Sequence, residues 1–111
     1  MDTTVFEARM REELTALAAA GEGARADRAP VALDQQSTGR LTRMDAMQQQ
    51  AMAVATQARR ATRMQALTAA LNRVAAGDFG ECVRCGEEIS DKRLQLDPTL
   101  TTCIACAGAK A

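Results

Sequence analysis

Two apolar stretches at helical spacing precede a cysteine-bearing tail in this chain. In the first, Phe6, Met10, Leu14 and Leu17 recur at steps of three and four, so they share one helix face. Thr4-x-x-Glu7 reads as a capping box ahead of them. Glu7 and Arg11 stand four apart as a favourable surface pair. The pattern predicts a helix over about 5–20, stopped at Gly21. Residues 21–42 then lose the period. Gly21, Gly23, Pro30 and Gly39 punctuate a polar stretch that is long for a connection between helices, which suggests disorder or a functional tip. Val31, Leu33 and Leu41 are its apolar residues for docking onto the next helix.

The second stretch is longer. Thr42-x-x-Asp45 reads as another capping box, and residues 43–76 contain neither Gly nor Pro. Gly77 stands where a helix C′ glycine belongs, with Arg73 in the last turn. One helix of roughly 50 Å over about 43–76 follows at 1.5 Å per residue. Its expected apolar stripe runs Met44, Met47, Ala51, Val54, Ala58, Ala61, Met64, Leu67, Leu71 and Val74. Those steps resemble a coiled-coil seam, and alanine in its middle admits a close partner helix. Pairing the two helices antiparallel sets Phe6 and Met10 against the Leu67–Val74 end. The first helix covers only half of the second, so the methionine-bearing end needs a cover from residues 31–41 or from a partner.

Composition narrows the architecture. With 111 residues, two Phe and no Tyr or Trp, the chain builds one domain, or a small one with an extension, around a thin core. Lys+Arg and Asp+Glu are both 14, which argues against nonspecific nucleic-acid binding by the whole chain. Charge is uneven, however. Residues 40–76 hold six Arg against Asp45 alone, whereas residues 77–98 hold six acids against Arg84, Lys92 and Arg93. Arg59, Arg60 and Arg63 form either a solvated face or a surface for an acidic partner. The acidic N-terminus carries no signal-peptide pattern and no run approaches a membrane span, so a cytoplasmic protein is expected. The absence of His excludes histidine catalysis and ligation. No nucleophile, base or phosphate-loop pattern replaces it, so no enzyme is expected.

All four cysteines lie in the tail, as Cys82-x-x-Cys85 and Cys103-x-x-Cys106 with seventeen residues between the pairs. That spacing fits a four-thiolate zinc site. Two intervening residues let a tight knuckle aim both sulfurs at one ion, and Gly86 suits a knuckle that needs positive φ. Four soft thiolates favour a tetrahedral ion, and they leave no open position for catalysis, so one structural Zn2+ per chain is expected. Two disulfides would need an oxidising compartment. A thioredoxin-like pair would need a βαβ context, and ferredoxin clusters use other spacings. Phe79, Val83, Ile89, Leu94, Leu96, Leu100 and Ile104 are too few to fold this segment without the metal. Within it, Arg93-Leu94-Gln95-Leu96 alternates like a short strand, Asp97-Pro98-Thr99 reads as a turn, and Thr102 could cap a helix through Cys106. The expected fold is mainly α: an antiparallel two-helix coiled-coil hairpin over 1–76, then a C4 zinc finger with a short C-terminal helix over 77–111.

Gly80-x-Cys82-x-x-Cys85-Gly86-x-x-Ile89, then Arg93-Leu94, Pro98-Thr99 and Cys103-Ile104-x-Cys106, resembles the bacterial DksA/TraR family, in particular its shorter members. The resemblance is strong over 77–106 and extends to the preceding helix by position. It implies direct binding to RNA polymerase, with the hairpin tip inserted into the secondary channel, and no sequence-specific DNA contact. Well-known members carry D-x-x-D-x-A at that tip. Here the aligned stretch is Thr42-Arg-Met-Asp45-Ala46-Met47, so Asp45 alone matches, and it doubles as a capping residue. Positions where the family prototype uses basic residues toward ppGpp hold Ala66, Asp97 and Ala107, which argues against prototype-like ppGpp binding. The competing reading is a zinc-finger interaction module that keeps the scaffold but binds another partner.

Overall fold

The computed structural model describes residues 2–31 and 40–108. Four α-helices account for most of them: α1 (Thr4–Gly23), α2 (Arg40–Ala76), α3 (Asp91–Leu96) and α4 (Ile104–Gly108), with a 3-10 turn at Arg25–Arg28. The fold is mainly α, as expected, and the described residues hold no strand beyond one antiparallel bridge between Glu81 and Glu88. The chain forms two compact units, one of residues 1–14 with 64–111 and one of residues 15–63.

Both long helices begin earlier than their capping patterns predict. The Thr4 N–H is accepted by Asp2 Oδ1 at 2.9 Å, and the Glu7 N–H by the Thr3 carbonyl at 2.8 Å. Asp2 therefore satisfies the first turn, and Thr4 is already helical. That hydrogen bond holds the Asp2 carboxyl below its ordinary pKa. Glu7 instead pairs with Arg11 at 2.9 Å, as the spacing predicts. In α2, Thr42 and Asp45 lie inside a helix that already includes Arg40, so they form no capping box. Arg, Leu and Met are good helix formers, and nothing in Arg40-Leu41 requires a later start. At the other end Gly77 adopts φ +81° as expected. Asp78 N–H reaches the Arg73 carbonyl at 2.9 Å and Gly77 N–H the Val74 carbonyl at 3.2 Å, a Schellman cap.

The first unit holds the core. Met10, Leu67 and Ala70 from the two long helices are fully buried, as are Ile89 and Leu94 of the tail to within 2%, and Phe79 joins them. Phe6 is half-buried, its ring centroid 5.6 Å from that of Phe79. The N-terminal end of α1 thus packs beside the cysteine segment, as the antiparallel pairing predicts. Three polar links add to this. Arg9 Nη1 donates to the Gln95 carbonyl at 2.6 Å, Arg73 Nη2 to the Thr99 carbonyl at 3.5 Å, and Arg93 Nε to the Thr102 carbonyl at 3.0 Å.

Residues 93–96 are helical, not a strand. Ser90 is the N-cap of α3, its hydroxyl accepting from the Arg93 N–H at 3.3 Å, with Asp91 in the first turn. The change of period explains the burial. A strand would put Leu94 and Leu96 on one face, whereas a helix turns them about 200° apart. Leu94 is accordingly buried and Leu96 is 82% exposed. Val83 and Ile104, also expected in the core, are exposed as well. The turn at 97–100 forms as expected: Asp97 Oδ1 accepts from the Thr99 N–H at 3.0 Å and its hydroxyl at 2.7 Å, and Pro98 is fully buried. The last helix starts at Ile104, so Cys103 and not Thr102 stands at its cap position, and it runs past Cys106 to Gly108.

In the second unit α1 continues through Gly21, which was expected to stop it. Gly21 is buried, and a Cβ there would lie 2.9 Å from Gln57 Oε1, so the glycine serves close approach to α2. Arg28 Nη1 bonds the Gly21 carbonyl at 2.8 Å and Gln57 Oε1 at 3.4 Å, and Gln50 Nε2 reaches the Arg28 carbonyl at 3.4 Å. As the chain advances from 21 to 28, its partners on α2 retreat from 57 to 50, an antiparallel sense. Val31 is half-buried and lines a groove with Pro30, Ala46 and Ala53, consistent with docking onto α2. Leu33, Gly39 and the Leu41 side chain lie outside the described residues.

Here the expected seam is wrong in register. Up to Arg63 the half-buried positions of α2 are Arg43, Ala46, Gln50, Ala53, Thr56, Gln57, Arg60 and Arg63, while Met44, Met47, Ala51, Val54, Ala58 and Ala61 are exposed. Alanine populates both stripes, so apolar contrast alone is weak, and hydrogen bonds of Gln57 and Gln50 to Arg28 select the other face.

Candidate metal centre

Each cysteine pair is held by its own backbone. In the first knuckle the Gly86 N–H bonds the Cys82 carbonyl at 2.9 Å, and Gly86 takes φ +78°, open to glycine without strain. The Cys82 N–H bonds the Glu87 carbonyl at 2.8 Å, and the Ile89 N–H the Gly80 carbonyl at 2.7 Å, where Gly80 adopts φ +89°. The second knuckle opens α4: the Ala107 N–H bonds the Cys103 carbonyl at 2.9 Å. The Val83 N–H reaches the Thr101 carbonyl at 2.9 Å and joins the two knuckles.

This backbone gathers the Sγ atoms of Cys82, Cys85, Cys103 and Cys106 within 4.8 Å of one another. Cys85 Sγ and Cys103 Sγ are 3.7 Å apart. A tetrahedral ion with Zn–S bonds near 2.3 Å places its sulfurs about 3.8 Å apart. No two of the four cysteines are joined in a disulfide in this geometry. Cys82 is buried, Cys103 and Cys106 are half-buried, and Cys85 is exposed.

Electrostatics also fit a cation. Hydrogen bonding from the Cys103 backbone, with smaller help from Cys85 and Arg84, draws the Cys82 thiol down to about 6. The Cys106 thiol is pushed up to about 12, first by the Cys103 sulfur and then by those of Cys85 and Cys82. One sulfur ionises readily, and the crowded neighbours resist a second negative charge. A dication removes that conflict and lets all four ionise. The donor set is soft and four-coordinate, as a structural zinc ion requires.

The residues proposed for a partner surface are in the other unit. Asp45 is exposed on α2. Arg59 is exposed, its Nη2 on Thr56 Oγ1 at 3.0 Å. Arg60 and Arg63 are half-buried, and Arg60 Nη1 bonds Gln57 Oε1 at 3.3 Å, so the three arginines are not one solvated face. Sequence reasoning missed Arg9 and Arg93, which tie α1 to α3 and α3 to the second knuckle. No local pattern marks them, because their acceptors are carbonyls 86 and 9 residues away.

Residues 77–110 match the prokaryotic dksA/traR C4-type zinc finger. The chain is 44% identical over 43 residues to the RNA polymerase-binding transcription factor DksA of Haemophilus influenzae. That match covers 39% of this chain and only 30% of the relative. Among solved structures, transcription factor DksA2 from Pseudomonas aeruginosa is similar with a TM-score of 0.76 at 26% identity, covering 93% of this chain and 78% of that one. A DnaK suppressor protein from Agrobacterium tumefaciens is similar with a TM-score of 0.57 at 27% identity, covering 99% and 95%.

Proposed function

We propose that this chain is a C4 zinc-finger protein of the DksA/TraR family, a non-enzymatic, cytoplasmic transcription regulator that binds RNA polymerase at its secondary channel. It would act there without sequence-specific DNA contact. The observation that carries this reading is the likeness to DksA2 over 93% of the chain, helices as well as finger. The curated relative's name supplies the partner. No described helix is long and apolar enough to cross a membrane, which is compatible with the proposed compartment.

Cys82, Cys85, Cys103 and Cys106 are the proposed ligands of one zinc ion, supported by their mutual distances. Asp45 is the proposed acid near the channel end, with Arg59, Arg60 and Arg63 offering positive charge to the polymerase. What supports Asp45 is its exposure inside α2, where it has no capping duty that would explain it. Prototype-like ppGpp binding is not part of this reading. Ala66 and Ala107 carry no charge, and the Asp97 carboxylate is engaged by Thr99.

The test is retention of RNA polymerase from the host lysate on the immobilised chain, followed by competition with a known secondary-channel protein. Retention that this competitor displaces is the expected result. In transcription assays Asp45→Asn should lower the effect on initiation more than it lowers binding. The swap keeps the shape of an exposed side chain and removes only its charge. Binding without competition, or a silent Asp45→Asn, would sink the channel reading in favour of an interaction module with another site or partner.

A further inference from the structure

We propose that Arg93 is a positioning residue for the metal centre: it holds the peptide between Thr102 and Cys103 so that the Cys103 N–H is aimed at the Cys82 sulfur. This role rests on the four-cysteine zinc centre and adds to it a residue outside the ligand set. Two ends of one peptide carry the inference. Its carbonyl, that of Thr102, accepts from Arg93 Nε at 3.0 Å. Its N–H, that of Cys103, is the foremost hydrogen bond on the Cys82 sulfur. The other backbone donors to that sulfur, Arg84 and Cys85, belong to its own knuckle. The Cys103 N–H is therefore the backbone link that reaches Cys82 from the second knuckle.

Both partners in the Arg93 bond are held in place. The Arg93 N–H is accepted by Ser90 Oγ at 3.3 Å, and the Arg93 carbonyl accepts from the Asp97 N–H at 3.1 Å. The next residue, Leu94, is fully buried and anchors α3. On the other side, the Thr101 carbonyl accepts from the Val83 N–H at 2.9 Å. Two consecutive peptides leading into Cys103 are thus pinned, one by the first knuckle and one by α3. A peptide is planar, so turning its carbonyl away from Arg93 also turns its N–H away from Cys82. A guanidinium on the carbonyl is a strong, charge-assisted donor, and it makes the N–H of the same peptide a stronger donor in turn. Donation to a thiolate favours its charged form, which is the form that binds a metal. Arg84 is the contrasting case. Its Nη1 reaches the Cys106 carbonyl at 3.5 Å on the exposed side, and the N–H of that peptide, Ala107's, is engaged by the Cys103 carbonyl.

The test compares Arg93→Lys, Arg93→Gln and Arg84→Met with the unsubstituted full chain. Gln sets an amide nitrogen as many bonds from the backbone as Arg Nε, without the charge. Lys keeps the charge but has a methylene at that place. Arg93→Lys should lose about tenfold or more in zinc affinity, read by competition with a chromophoric chelator. Arg93→Gln and Arg84→Met should keep most of it. In the cobalt(II)-loaded protein, the sulfur-to-metal charge-transfer band should move to longer wavelength in Arg93→Lys, because a sulfur without its N–H donor gives up an electron more readily. The band should stay in place in Arg93→Gln and Arg84→Met. Affinity kept by Lys and lost by Gln would make charge the cause and overturn the proposal. So would lowered thermal stability of Arg93→Lys with band and affinity unchanged, which is the mark of a packing residue, and so would an equal band shift in Arg84→Met. An unsubstituted chain that takes up no zinc would sink the metal centre itself, whereas the preceding results sink the role of Arg93 alone.

Discussion

At Cys85 an exposed sulfur lies 3.7 Å from Cys103 Sγ, with the other two thiols within 4.8 Å. A bound metal makes that crowding favourable, since four thiolates together repel and four thiols bury little apolar surface. The neighbouring Leu96, Val83 and Ile104 contribute almost nothing to a core, being 63–82% exposed. Metal binding must therefore supply much of the order in this segment, on the order of 10 kcal/mol for sites of this kind. Cys85→Ser should drop the zinc content from one ion per chain toward zero by elemental analysis. Circular dichroism should show only a modest loss of helix, because α3 and α4 are short and α1 and α2 hold most of the helical residues. A variant that keeps full zinc occupancy would contradict the assignment of this ligand.

Among the elements, α1 shows how a residue type can mean opposite things in one helix. Gly21 and Gly23 both interrupt the alanine-rich run, and both lie within α1. Around Gly23 an added Cβ meets nothing within 4 Å, so Gly23→Ala should stabilise by about 0.5–1 kcal/mol through helix propensity. At Gly21 the same methyl would press on Gln57 at 2.9 Å. Gln57 could swing away only by giving up its bonds from Arg28 and Arg60. We expect Gly21→Ala to gain nothing or to cost up to about 1 kcal/mol, a difference in sign that thermal denaturation of the two variants will read directly. Equal stabilisation by both would mean that the close approach of α1 to Gln57 carries no energy. The contrast between Leu94 and Leu96 in α3 is the same lesson in another form. Two leucines two residues apart are equivalent on a strand and opposed on a helix, and the Ser90 cap selects the helix.

For the whole molecule, the division of buried surface predicts a division of stability. The buried apolar side chains among the described residues, from Met10 to Leu94, all belong to the unit of residues 1–14 and 64–111. Among the described residues of the 15–63 unit, only Gly21 is buried, and the side chains beside it are the polar Arg28 and Gln57. Local opening should be easiest where least apolar surface is covered. Amide hydrogen exchange at low protein concentration should therefore be faster over residues 43–60 than over 64–74, although both stretches lie in α2. Uniform protection along α2 would show that the helix opens only as a single unit.

Features specified by neighbours in the chain were legible in the sequence. Cysteine spacing and Gly86 define the knuckles, Gly77 ends α2, and Asp97 and Pro98 make their turn, because each depends on bonds spanning only a few residues. Helical periodicity and the N-terminal end of α1 beside the finger were legible for a similar reason: Phe6, Met10 and Leu67 carry strong apolar contrast. The inward face of α2 over 44–61 was not. With alanine on both faces, burial energy scarcely distinguishes the two registers, and the choice passes to Gly21, Arg28, Gln50 and Gln57, whose bonds span 7 to 29 residues. Tertiary structure decided which apolar stripe is left outside, and hence which surface another molecule can use.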